Sequence, residues 1–171
     1  MSRANPSSRR SGLAPVTDAA TTLLILGSLP GERSLAEGRY YAHPQNGFWR
    51  LIGGVIGADL ATLPYDERLE RLMSAGVGLW DVIASAERPG SLDAAIRDAV
   101  PSDLNQLIDG LPSLRAVAFN GGTAARLGRR LLSARAGIAL IDLPSSSPAH
   151  TRPLAEKAAA WAALSQALSR G

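Results

Sequence analysis

Four stretches of the chain are apolar almost without interruption: residues 23–26, 77–83, 114–119 and 138–142. Runs of that length and character suit strands covered on both faces of a parallel sheet. Between them the period changes to that of a helix. From Phe48 the apolar positions Trp49, Ile52, Val55 and Ile56 bury one face, with Gly57 as a stop. Asp66 is placed to cap a helix with Leu69, Leu72 and Met73 on its stripe, Ser91 to cap a short helix through Ile96, and Asp103 to cap one stopped by Gly110 and Pro112. Gly121 and Gly122 open a helix running into residue 137, and Leu154, Ala158, Trp161, Leu164 and Leu168 mark one long terminal helix over 153–168. Strands alternating with helices predict an α/β three-layer sandwich with a central, mostly parallel four-stranded sheet. Residues 1–20 carry Ser, Arg, Pro and Gly without periodic apolar positions and are expected to be a mobile tail, with Arg3, Arg9 and Arg10 solvated or brushing a phosphate backbone. Residues 21–171 are expected to form a single domain.

Composition narrows the class. At 171 residues and 46% hydrophobic content one core is enough. The absence of cysteine excludes disulfides, cysteine-based zinc or iron–sulfur sites and a thiol nucleophile. No apolar run approaches the roughly 20 residues of a membrane span, and the N-terminal sequence lacks the apolar core of a secretory signal, so a cytoplasmic protein without membrane contact is expected. The net charge is +3, and Lys157 is the only lysine among 18 basic residues. Arginine is the better fork for phosphate and stacks on bases, although a high-GC genome would give the same bias. The charge is compatible with a polyanion partner without demonstrating one.

Candidate chemistry gathers where strands end. After the first strand, Gly27 and Gly31 allow backbone N–H groups close to a ligand, Ser28 offers a hydroxyl and Pro30 stiffens the turn. Tyr40, Tyr41, Phe48 and Trp49 offer faces for a planar heterocycle, and His43, Gln45 and Asn46 could read its polar edge or hold a water. Asp81, near the end of the second strand, either orients this loop or is a turn carboxylate. Asn120, at the tip of the third strand, could offer C=O and NH₂ to a base edge or simply cap the next helix. Residues 144–150 place three serines between two prolines, a stiff loop able to donate hydrogen bonds to a phosphate backbone. These loops all follow strands of one sheet and should meet at its carboxyl edge.

These residues resemble a known family. GSLPG followed by YYAHPQNGFW, then GVGLWDVI at 76–83, RPGSLDAAI at 88–96, AVAFNG at 116–121 and LPSSSPAH at 143–150, are similar in order and content to the uracil-DNA glycosylase superfamily. The resemblance is closest to its hypoxanthine-DNA glycosylase branch and then to the mismatch-specific uracil and thymine-DNA glycosylases. It implies a monofunctional DNA N-glycosylase that extrudes a deaminated base, hydrolyses the N-glycosidic bond and leaves an abasic site. It also implies a monomer acting on DNA without cofactor or metal, nucleoid-associated in a bacterial cytoplasm when bound. Gly27, Ser28, Tyr41 and Asn120 would bind the base, with Tyr41 stacking. Ser145, Ser146, Ser147 and Pro148 would press on the DNA around the flipped nucleotide. Most of the superfamily has Asp or Asn, for the water, where this chain has Leu29; the hypoxanthine branch shares that gap and uses the asparagine matching Asn46. Asn46 is therefore the expected water-holding residue and His150 the second catalytic candidate, while His43 is expected to be structural.

An amide orients water but hardly deprotonates it, so the expected mechanism is dissociative and suits a base that leaves easily. Uracil is placed slightly ahead of hypoxanthine, because the loop also resembles the mismatch-uracil enzymes. Two other classes stay open: a module that binds deaminated or damaged bases without cutting, suggested by Leu29, and an enzyme of free nucleosides, which the stiff serine loop argues against.

Overall fold

In the computed structural model, which describes residues 9–169, five-residue strands β2 (Leu23–Gly27), β3 (Val77–Asp81), β6 (Ala116–Asn120) and β7 (Ala139–Leu143) form one sheet in the order β3-β2-β6-β7. All three pairings are parallel. The predicted central sheet is thus present, with every pairing parallel. Alternate residues of its strands feed two cores. Leu23, Ile25, Val77, Leu79, Ala116 and Ala118 pack with helices α2 (Phe48–Ile56), α3 (Tyr65–Ser74), α6 (Leu154–Trp161) and α7 (Leu164–Ser169). Leu24, Leu26, Val117 and Phe119 pack with α4 (Leu104–Asp109) and α5 (Gly122–Leu131). Period-two alternation therefore builds both interfaces of the three layers.

A second sheet was not expected. β1 (Arg9–Ser11), β4 (Ile83–Glu87) and β5 (Arg97–Pro101) pair antiparallel in the order β1-β4-β5. Residues 9–20 are accordingly not the mobile tail that their composition suggested. β1 pairs with β4, Val16 bridges to Leu79, Tyr40 Oη donates to Ala14 O at 2.8 Å and Trp80 Nε1 to Leu13 O at 3.2 Å. The segment is fixed by backbone pairing and by donors on other elements, which no local apolar pattern reports. Arg9 bonds Ser85 Oγ and Arg10 pairs with Glu32 at 3.0 Å, so both are engaged within the fold; Arg3 lies outside the described residues.

Other local expectations are corrected. Pro64 rather than Asp66 precedes α3, its fixed φ suiting the helix start. Residues 91–96 contain only a 3-10 turn, Asp93–Ala95, and Ser91 Oγ accepts instead from Glu32 N, at the start of the unpredicted helix α1 (Glu32–Glu37). Asp103 does cap α4, accepting from Gln106 N. The helix after Gly121 ends at Leu131, and the terminal helix is broken between Trp161 and Leu164 into α6 and α7.

Candidate active site

The carboxyl ends of the parallel strands lie side by side: Gly27 is in register with Asp81, and Asn120 with Leu143. Above them opens a cleft of about 510 Å³. It is lined by the residues to which the resemblance gave a role in base binding, chemistry or DNA contact: Gly27, Ser28, Tyr41, Asn46, Asn120, Ser145, Ser146, Ser147, Pro148 and His150. Leu29, Tyr40, His43, Asp81 and Asp93 line it too, whereas Gln45 does not.

Tyr41 is the centre of one wall. Its ring stacks on Phe48 with centroids 3.8 Å apart at 18°, its carbonyl accepts from Trp49 Nε1, and its hydroxyl accepts from Asn120 Nδ2 at 3.3 Å. These contacts hold it at φ 53°, a left-handed backbone rare for a bulky residue and typical of functional positions. Burial, with the nearby Asp81 carboxyl second, pushes the phenol pKa well up, so the hydroxyl stays neutral. Of the four aromatics offered as stacking faces, Phe48 and Trp49 are buried behind Tyr41 and only Tyr40 and Tyr41 line the cleft.

Asn46 and Tyr41 share this cleft. The Asn46 backbone N–H donates to His43 O, and its Oδ1 accepts from Phe48 N at 2.9 Å, at the first residue of α2. That bond fixes which way the amide faces and leaves one lone pair of Oδ1 for a further donor. His43 Nδ1 accepts from Gln45 N, a structural role in the loop.

The expected hydroxyl and amide donors are largely spoken for. Asn120 does not cap α5, whose N-cap is Gly121. Its Nδ2 donates to Tyr41 Oη and, at 2.9 Å, to Ser146 Oγ, while its Oδ1 accepts from Ser146 N at 2.9 Å. Both amide protons are thereby used, and Ser146, only 2% exposed, is turned inward instead of towards a phosphate. Ser28 Oγ donates to Asp93 Oδ1 at 2.7 Å. Ser145, Ser147 and Pro148 remain on the accessible rim.

Two buried cations clamp the loops, and the sequence pointed to neither. Arg88, fully buried, donates to the carbonyls of Leu29, Pro30 and Gly90, pinning the turn after β2. Lys157, 4% exposed on α6, donates to Ser147 O and His150 O, at 3.1 and 2.7 Å. Being the one lysine in an arginine-rich chain was its only signal. His150 Nε2 is buried without a hydrogen-bond partner among the described residues.

Asp81 stands out on the floor of the cleft. It is 4% exposed, its Oδ2 has no partner among the described residues, and burial, reinforced by the Asp93 charge and opposed by Arg88, pushes its pKa up to about 7. Gly27 makes room for it: a methyl group there would lie 2.6 Å from Asp81 Oδ1. Among the described residues no group of His, Asp or Glu is arranged to hold a metal ion.

A profile of the Uracil DNA glycosylase superfamily matches residues 14–167. The chain belongs to the uracil DNA glycosylase superfamily. Among superfamily proteins, it is 41% identical over 154 residues to a hypoxanthine DNA glycosylase of Methanosarcina barkeri, covering 90% of this chain and 96% of that one. A hypoxanthine DNA glycosylase of Methanosarcina acetivorans is 38% identical over 153 residues, with the same coverage. A solution NMR structure from Methanosarcina acetivorans, solved as a candidate uracil DNA glycosylase, superimposes with a TM-score of 0.84 at 36% identity, over 95% of this chain and 99% of that one. As a superfamily member this protein is a monofunctional DNA glycosylase, a hydrolase of the N-glycosidic bond whose substrate is DNA. No helix among the described residues is long and apolar enough to cross a membrane.

Proposed function

We propose that this glycosylase excises hypoxanthine from DNA, with uracil as a second substrate, by flipping the deaminated base into the cleft beside Tyr41 and directing a water held by Asn46 onto C1′ of its sugar. The bond from C1′ to the base nitrogen breaks first, the base departing with its electron pair, and the water then adds at C1′ and releases the proton that neutralises the base. Extrusion costs a few kcal/mol, which stacking on Tyr41 and contacts near Gly27 and Ser28 offset. The observation that carries the reading is the position of Asn46. It lines the same cleft as Tyr41 with its amide oriented by Phe48 N–H, while Leu29 offers no polar group to a water. The order of the two bases reverses that taken from the loop sequence, because both similar relatives act on hypoxanthine by name.

Asn120 serves this site chiefly by fixing Tyr41 and the inward Ser146, keeping one acceptor lone pair for the base. Ser145, Ser147 and Pro148 meet the DNA from the rim. The test is an abasic-site assay on oligonucleotides carrying hypoxanthine, uracil, xanthine or mismatched thymine, single- and double-stranded. Alkali-labile sites at hypoxanthine, with fewer at uracil, are expected. Tight binding without strand scission on every substrate would instead identify a module that recognises deaminated bases without cutting them.

A further inference from the structure

The polar groups that face the cleft are nearly all committed to one another. Asn120 has spent both amide protons on Tyr41 and Ser146, and Ser28 has spent its hydroxyl proton on Asp93. Two residues are different: Asp81 and His150 both line the cleft, and Asp81 Oδ2 and His150 Nε2 are buried with no partner among the described residues. Leaving a buried carboxyl oxygen unsatisfied is costly unless something binds there. Asp81 Oδ1 is not enclosed as Oδ2 is, and it faces the space over Gly27 that it shares with the Tyr41 hydroxyl, so Oδ1 is the atom a ligand in the cleft meets.

We infer that Asp81 reads the exocyclic oxygen of the extruded base, its carboxylic acid form donating a hydrogen bond from Oδ1 to that oxygen as negative charge builds on the departing base. The inference rests on the reading of this protein as an excising enzyme for deaminated bases. Deamination replaces an exocyclic amine with a carbonyl oxygen. An O–H donor bonds that oxygen, whereas the amine of an undeaminated base cannot accept from it. The bond strengthens as the base takes up the electron pair, so it favours the transition state over bound substrate. The surroundings keep the donor proton in place. Asp93 is the second carboxylate, Arg88 the opposing cation, and the Tyr40 and Tyr41 phenols are the remaining titratable neighbours; burial outweighs Arg88. A base stacked over the cleft removes water from Asp81 and favours the acid form further.

The test is single-turnover excision of hypoxanthine from duplex DNA between about pH 5.5 and 8.5, for the wild type, Asp81→Asn and Asp81→Leu. The wild-type rate is expected to fall about tenfold per pH unit above the Asp81 pKa. Asp81→Asn keeps an N–H donor and should stay within about tenfold of wild type at pH 6 while losing that decline; Asp81→Leu should lose about 10²-fold or more at every pH. The same decline in the asparagine variant, or full activity in the leucine variant, overturns the role of Asp81 and leaves the excision reading intact. An inert wild type removes the excision reading and this one with it. Should the variants fold poorly, ¹³C NMR of the wild-type Asp81 carboxyl decides: its pKa should rise on binding a non-cleavable hypoxanthine oligonucleotide, and an unchanged or lower value overturns the proposal.

Discussion

Asn46 accepts the first backbone N–H of α2 on Oδ1 and lines the cleft, so its replacement separates two effects by size. Asn46→Ala should slow single-turnover base release on the order of a hundredfold or more, while binding to substrate DNA stays within several-fold. Intact release would assign the water to another group. Tyr41→Ala should weaken substrate affinity by about 1–3 kcal/mol through lost stacking, measured by fluorescence anisotropy on a non-cleavable oligonucleotide. Unchanged affinity, with the fold intact by circular dichroism, would take Tyr41 out of the base pocket. Which residues meet was legible because each lies just beyond an apolar strand or within a loop that follows one. How they meet was not. That Asn120 and Ser146 bond each other, that Ser28 bonds Asp93 and that Asp81 Oδ2 is left over depends on side chains 26 to 65 positions apart, a range at which spacing carries no information.

The elements around the site differ in how much of themselves they print in the sequence. β2, β3, β6 and α2 bury most of their residues and were predictable from apolar content alone, whereas the edge strand β7 buries only Leu143. β5 (RDAVP) has every residue exposed, and β1 is three residues long; both exist through pairing with β4, so nothing in their own composition announces them. α6 looks structural from its stripe, yet Lys157 on it holds the loop that carries Ser147 and His150. Lys157→Met should keep the packing volume and strip two half-buried carbonyls of a donor, destabilising the fold by about 1–3 kcal/mol in urea unfolding. Because the loss falls on the loop over the cleft, excision at temperatures well below melting should drop as well. Full activity at unchanged stability would mean that the loop holds its shape without the clamp.

A buried acid at the meeting point of the parallel strands sets the pH response of folding as well as any chemistry. Burial raises the Asp81 pKa from 3.8 to about 7, with Asp93 adding to the shift and Arg88 reducing it. Between those two values the folded chain keeps a proton that the unfolded chain has released. The stability that Asp81 contributes is therefore fully present below about pH 4 and is lost progressively as pH rises through about 7. Asp81→Asn removes this dependence while keeping the shape of the side chain. Urea midpoints of the two proteins should accordingly nearly coincide near pH 4, and the variant should become the more stable one as pH approaches 8. A difference constant across that window would mean that Asp81 titrates alike in the folded and unfolded chains, and would remove the buried acid from the account of the site. The predicted direction is that of a functional group retained at the expense of stability, since an asparagine would satisfy the fold better at neutral pH.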